Sequence, residues 1–295
     1  MRNFINAALL GVAYAAVDYT EMGRNWEGLC ATGKEQSPID LTNQSMENKL
    51  SIAAVGYKNF EGTAKLKDLG KTLQVDMADP AESGTLELTF ADGTKGKYNP
   101  LQFHVHAPSE HTLNGDYFDM EMHIVHQDST GELAVLGFFF TADEDTESPF
   151  LKGLLANPPS ESGTTIDKLD LKTLTENDIV GHYFSYNGSL TTPPCTEGIR
   201  WTVVEKALNM SKAQKKVFDD YYKDNEDFAD GMGNNRAVQP LNDRKLVENW
   251  AGECPEDEHD HCYGGDHSHH DHDDDSATML GAAGAALLAI AAMQI

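Results

Sequence analysis

From about residue 17 to 252, short apolar or alternating runs are separated by Gly, Pro, Asn and Asp. The runs Thr72–Met77, Thr85–Phe90, Leu101–His106, Met120–His126, Leu133–Thr141 and Ile199–Val204 have the length and bounding turn formers of β-strands. One helical pattern stands out, Ser211–Tyr222, where Ser211 is placed to cap a stretch holding Ala213, Val217 and Phe218. No internal repeat and no Pro/Ser-rich linker divides the region. The pattern predicts a single β-dominated α+β domain over residues 17–252.

Both ends depart from this pattern. Arg2, the apolar stretch Phe4–Val12 and the small residues of Ala13-Tyr14-Ala15 read as a signal peptide over residues 1–16, cleaved near Ala15 or Ala16. The protein is therefore expected to be secreted or on the extracellular face of the cell surface, in an oxidising environment where cysteines pair. Glu253–Asp275 holds ten acidic residues and six histidines with no Lys or Arg, so residues 253–278 cannot bury a core and are predicted to be disordered. The last 17 residues, Met279–Ile295, are uncharged and rich in Ala, Gly and Leu. They fall short of the roughly 20 that a membrane span needs. An apolar tail behind a polar stretch has the form of a glycolipid-anchor signal, with Gly264-Gly265-Asp266 as a candidate attachment site. Cleavage there would also remove the His267–His272 tract.

Composition narrows the functional classes. With 295 residues, 40% hydrophobic and 24% charged, the chain can bury a core of normal size. A net charge of −26 argues against nucleic acid or an anionic membrane surface as partner, since phosphate binding needs clustered Lys and Arg. The four cysteines, Cys30, Cys195, Cys254 and Cys262, contain no Cys-x-x-Cys pair, which disfavours a thiolate zinc finger. Cys254 and Cys262 flank His259 and His261, and either a local disulfide or a metal site fits that spacing.

Six of the twelve histidines lie in the acidic tail. The others are His104, His106, His111, His123, His126 and His182. In a strand Gln102-Phe103-His104-Val105-His106, side chains alternate, so Gln102, His104 and His106 share one face. Twice the strand rise puts the two imidazoles about 7 Å apart, close enough to converge on one ion. In Glu121-Met122-His123-Ile124-Val125, Glu121 and His123 again share a face, and a neighbouring position would complete a three-histidine site. Three neutral imidazoles and an open fourth position form the ligand set of a catalytic zinc. With no carboxylate ligand the ion keeps its full charge, acidifies bound water and supplies hydroxide at neutral pH. A zinc peptidase fits worse, because no His-Glu-x-x-His occurs.

The segment Gln102-Phe103-His104-Val105-His106-Ala107-Pro108-Ser109-Glu110-His111-Thr112 resembles the zinc-ligand signature of the α-carbonic anhydrases. Glu121–His126 resembles the segment with their third ligand, and Ser189-Leu190-Thr191-Thr192-Pro193-Pro194-Cys195 their substrate-side loop. Gln36–Leu41 and Asn234–Leu241 match segments near the start and end of that domain, so five motifs fall in family order across about residues 19–245. The resemblance implies a large, twisted, mostly antiparallel sheet with short peripheral helices. It implies a Zn2+ cofactor on His104, His106 and His123, and reversible hydration of carbon dioxide to bicarbonate with zinc-bound hydroxide as nucleophile. It makes Gln102, Glu121 and a backbone carbonyl near Asn234 the partners that orient the ligands. Thr191 would pass a hydrogen bond to Glu110, and Val125, Val135, Leu190, Thr192 and Trp201 would line the substrate pocket.

The same resemblance implies a Cys30–Cys195 disulfide, cis bonds at Ser37–Pro38 and Pro193–Pro194, and a buried structural role for His111; His126 and His182 are read as structural as well. One departure stands out. In Leu69-Gly70-Lys71, Lys71 stands where family members carry a proton-shuttling histidine. An ordinary lysine, with a pKa of about 10.4, exchanges protons poorly at neutral pH. A rival reading is a catalytically silent binding domain on the same scaffold. Such relatives typically lose zinc ligands, and all three are present here.

Overall fold

The structure is a computed structural model. It describes residues 17–42 and 51–250, apart from 59, 62–63, 78, 90–94, 167, 176–180, 224–227 and 229–231. The expected signal peptide, the acidic tail with Cys254 and Cys262, and the terminal apolar run lie outside the described residues.

An 11-stranded sheet forms the frame. Its strands are β1 (Ser51–Tyr57), β2 (Lys65–Asp68), β3 (Leu73–Asp76), β4 (Gly84–Thr89), β5 (Lys95–His106), β6 (Met120–Gln127), β7 (Leu133–Asp143), β8 (Thr164–Thr165), β9 (His182–Ser189), β10 (Glu197–Ser211) and β11 (Val247–Trp250). They run in the order β8-β2-β3-β5-β6-β7-β10-β9-β11, while β4 also pairs with β5 and β1 with β4. All neighbours in this sheet are antiparallel except β7 and β10, which are parallel. The expected strands are all found, two of them as parts of the longer β5 and β10.

Strand alternation gives the sheet two buried faces. Phe103, Val105, Met122, Ile124, Leu136 and Phe138 project to one side and join the larger apolar cluster. Helix Pro149–Leu154 packs there through Phe150, Leu151 and Leu154, with Phe103 and Phe150 ring centroids 5.6 Å apart. Helix Lys212–Tyr222 adds Phe218 and Tyr222 to the same cluster. Each such side chain contributes about 1.5–3 kcal/mol on burial. The expected cap of this helix is present: the Ser211 hydroxyl accepts the Gln214 N–H, and the Gln214 side chain accepts the Ser211 N–H. Val217 faces solvent. On the opposite face Val125, Val135, Phe139, Trp201 and Val203 form a second cluster beside the histidines.

Two long-range ties close the fold. Cys30 and Cys195, 165 residues apart, form the expected disulfide. Closing a loop of that size is worth at most roughly 5 kcal/mol in the chain-entropy picture. Arg236 is fully buried; its guanidinium donates to Gln36 Oε1, Ser37 O and Cys30 O at 2.7–2.9 Å and lies over the Trp26 ring. The bonds Ser37–Pro38 and Pro193–Pro194 are cis, as expected, and so is Ala107–Pro108, which the sequence reading did not single out.

His126 and His182 serve the sheet. His126 is buried against the Tyr57 hydroxyl at 2.9 Å, and burial lowers its pKa to about 4. His182 bridges Glu205 on β10 and Glu248 on β11. Burial opposes its charge, but the two carboxylates outweigh it and raise its pKa to about 9. An imidazolium favoured by folding stabilises the native state fully below the unfolded-state pKa of about 6.5 and loses that contribution as pH rises through the folded-state value. Urea midpoints of wild type and His182→Gln should therefore differ most below pH 6.5 and converge by about pH 9. A gap that stays constant over this window would remove the charged triad as its cause.

Candidate metal centre

The centre is built by register. β6 runs antiparallel to β5 with His123 opposite His104 and Glu121 opposite His106. Opposed residues share a face, so all three imidazoles project to the side that carries the second apolar cluster. Their ring centroids lie 4.7–5.2 Å apart, and their candidate ligand atoms lie within 4.8 Å of one another. His106 and His123 are buried and His104 is half-buried.

The other ring nitrogens are held from behind. His106 Nδ1 is 2.8 Å from the Asn234 carbonyl oxygen. A carbonyl only accepts, so Nδ1 carries the proton and Nε2 keeps its lone pair. His104 Nδ1 donates to Gln102 Oε1 at 2.9 Å, with the same consequence. His123 Nε2 lies 2.9 Å from Glu121 Oε1, off the line of a good hydrogen bond. That oxygen also accepts from His111 Nδ1 at 2.7 Å. Glu121 Oε2 accepts the backbone N–H groups of Glu110 and His111. Burial would raise the Glu121 pKa, but His111 and His123 outweigh it and hold the carboxyl well below its ordinary range. Burial pushes the pKa of His104 and His106 down, which keeps these rings neutral and able to bind a cation.

Buried His106 Nε2 has no hydrogen-bond partner among the described residues, and Glu110 Oε2 lies 3.5 Å from it. The same oxygen lies 3.8 Å from His123 Nδ1 and is itself unpartnered. Buried polar atoms are normally satisfied, so an orphaned imidazole nitrogen and carboxylate oxygen beside two further imidazoles fit a cation. A second group, His111, Glu121 and His123, also has ligand atoms in range, but Glu121 is engaged there by two backbone amides and His111.

Val125 opposes Val135, which opposes Trp201, so these three lie in register beside the imidazoles, and Leu190 packs against them. Trp201 sits 4.8 Å from the His123 ring and donates from Nε1 to Ser189 O. Thr191 is buried and Thr192 half-buried, in the turn between β9 and β10. The hydrogen bond expected from Thr191 to Glu110 is not formed among the described residues. Glu110 Oε1 is taken by the Arg236 N–H at 2.8 Å, and Oε2 leans toward the histidines.

Several supporting residues were not anticipated. The Asn234 carboxamide, beyond the expected carbonyl, accepts from Ala107 N–H and donates to Val105 O and Lys71 O. It thereby ties the end of β5 to the hairpin that carries Lys71. Gly233, at φ 136°, permits this approach, since a Cβ there would lie 2.0 Å from Ala107 O. Gly137 opposes His123, and a Cβ on it would press to 3.1 Å from Glu121 Oε1. His111 Nε2 meets the Tyr186 hydroxyl at 2.7 Å, which donates to Ser37 Oγ at 2.8 Å. Lys71 is half-buried, close enough that its charge disfavours protonation of His104, and burial lowers its own pKa.

Known proteins share this arrangement. The description of the eukaryotic-type carbonic anhydrases matches residues 21–250. A carbonic anhydrase of Nostoc sp. is 34% identical over 224 residues, which cover 75% of this chain and 78% of the relative. Alpha carbonic anhydrase 3 of Arabidopsis thaliana is 33% identical, covering 78% and 79% respectively. The solved α-carbonic anhydrase of Thermovibrio ammonificans, in complex with the inhibitor sulfanilamide, superposes with a TM-score of 0.61 at 35% identity, covering 74% of this chain and 89% of that one. With the family's description matched over residues 21–250 and relatives this similar in sequence and fold, the chain belongs to the eukaryotic-type, or α, carbonic anhydrase family of enzymes.

Proposed function

We propose that the protein hydrates carbon dioxide reversibly to bicarbonate and a proton, with Zn2+ held by His104, His106 and His123. The observation that carries this reading is the register of β5 and β6, which gathers three imidazoles on one buried face with an unpartnered His106 Nε2 among them. When bound, Zn2+ acts as a Lewis acid that brings the pKa of its water toward about 7, the value known for carbonic anhydrases themselves.

The chain's own residues do the rest. Gln102 and the Asn234 carbonyl fix the tautomers of His104 and His106, and Glu121 backs His123. Carbon dioxide is apolar and offers no strong hydrogen-bonding group, and Val125, Val135, Leu190 and Trp201 supply a matching wall. Thr191, buried in the turn after β9, would orient the attacking oxygen by accepting a hydrogen bond from it. The presence of all three histidines at one buried site, and relatives named as carbonic anhydrases, support catalysis over a silent binding role. The Cys30–Cys195 disulfide supports a secretory location.

Purified protein should hold about one zinc in the folded domain, and His104→Ala, His106→Ala or His123→Ala should each lose metal and hydratase activity together. Full activity in any of the three would sink the proposed ligand set. Glu121→Gln should keep the fold and weaken zinc affinity by about 10–100-fold, as measured by chelator competition. Thr191→Ala should bind zinc normally and hydrate carbon dioxide about a hundredfold more slowly or worse; an unchanged rate removes Thr191 from the reaction.

Hydration also releases a proton that must leave the cleft. A relay near pKa 7 does this best. Burial pulls Lys71 down from its ordinary value of about 10.4, yet the charge it retains favours holding a proton over passing one on. Maximal rate should therefore rise with imidazole buffer concentration, and Lys71→His should raise the rate in weak buffer and flatten that dependence. A wild-type rate indifferent to buffer would mean that another group carries the proton.

A further inference from the structure

Outside the cleft, Asn187-Gly188-Ser189 and Asn209-Met210-Ser211 have the form Asn-x-Ser, the acceptor tripeptide for N-linked oligosaccharide. A third copy, Asn43-Gln44-Ser45, lies outside the described residues. The tripeptide recurs by chance, so its place in the fold decides.

Both described asparagines are exposed although each lies beside buried residues, Tyr186 and Gly188 for Asn187 and Met210 for Asn209. Neither carboxamide makes a hydrogen bond among the described residues; the one polar contact of Asn187 outside the sheet ladder is its backbone oxygen, which accepts from Arg244 Nη1 at 2.9 Å. Among the described residues, each sits on a stretch of strand with a partner strand on one side only. β11 covers β9 only over His182–Ser185, so Asn187 lies beyond its reach. β9 pairs with β10 no further than Val204, so Asn209 has a strand neighbour, Thr141, on one side only. A bare edge is a template for pairing with another chain, and a bulky hydrophilic group beside it blocks that.

The serines, by contrast, are used by the fold. Ser189 Oγ accepts from Ser37 N–H at 2.9 Å and donates to Leu190 O at 2.8 Å, and Ser211 caps its helix. The tripeptides must therefore be read before folding, while the segment is still extended.

We infer that Asn187 and Asn209 carry N-linked oligosaccharides, an inference that rests on the secretory reading. The donor is a lipid-linked oligosaccharyl pyrophosphate. A bond forms between Asn Nδ2 and the terminal sugar carbon, the sugar–phosphate bond breaks, the lipid pyrophosphate leaves with the electron pair, and the amide proton passes to a transferase base. In the folded protein both sugars project into solvent, so hydration of carbon dioxide is independent of them.

The test is peptide mass spectrometry and N-terminal sequencing of protein from its native source, before and after enzymatic release of N-glycans. Expected are a mature N-terminus near residue 17, glycopeptides at both positions, and aspartate at 187 and 209 after release. Asn187→Gln and Asn209→Gln should each remove one glycoform step without changing hydratase rate. Unmodified asparagine at both positions in protein that starts near residue 17 overturns the glycan assignment while leaving secretion standing. Unmodified asparagine in protein that retains Met1 overturns both.

Discussion

The centre rests on the pairing of two strands. His123 opposes His104 because β6 meets β5 in one register, and a shift of one residue would turn His123 to the other side of the sheet, among Phe103, Val105 and Leu136. That slip would bury charged and polar groups in the larger core and turn Met122 and Ile124 away from it. The hydrophobic face of the sheet thus enforces the geometry of the polar one. The ion site needs no rigidity of its own, since the core supplies it.

Burial of polar groups sets the second constraint. Glu121, Glu110, His111 and Arg236 are all fully buried. A buried charge is tolerated only when paired and hydrogen-bonded. Glu121 meets that demand with two backbone amides and His111, and Arg236 with three acceptors drawn from the N-terminal segment. The Arg236 N–H holds Glu110 Oε1 as well, so the segment closed by the disulfide and the carboxylate of the cleft depend on one residue. Such a network satisfies nearly every member. Among the described residues it leaves Arg236 Nε without a hydrogen-bond partner, and at the centre itself His106 Nε2 and Glu110 Oε2, which lie 3.5 Å apart.

The supporting glycines and Asn234 show how tightly the cleft is drawn. Gly233 lets the chain approach Ala107, which brings the Asn234 carbonyl to His106 and its carboxamide to the Lys71 hairpin. Ligand orientation and the rim of the cleft are therefore linked through one residue, by its backbone carbonyl and its carboxamide.

Strand alternation in the sequence was enough to place Gln102, His104 and His106 on one face and Glu121 with His123 on another, because a period of two is a local property of extended chain. The five ordered motifs supplied the family and the Cys30–Cys195 pair. What alternation could not give was which strands neighbour one another. The parallel contact of β7 with β10 joins residues 66–68 positions apart and brings Trp201 to the imidazoles, a long-range pairing with no local signature. The same holds for the Asn234 carboxamide, the Arg236 acceptors and the His182 triad, whose partners come from distant strands and loops. The Thr191–Glu110 hydrogen bond, expected from motif order alone, is not formed, because side-chain orientation in a turn follows from its three-dimensional neighbours. Side-chain chemistry and period were fixed by the chain itself; the partners that orient, satisfy and enclose the centre were decided only by tertiary packing, which alone brings together groups that sequence keeps apart.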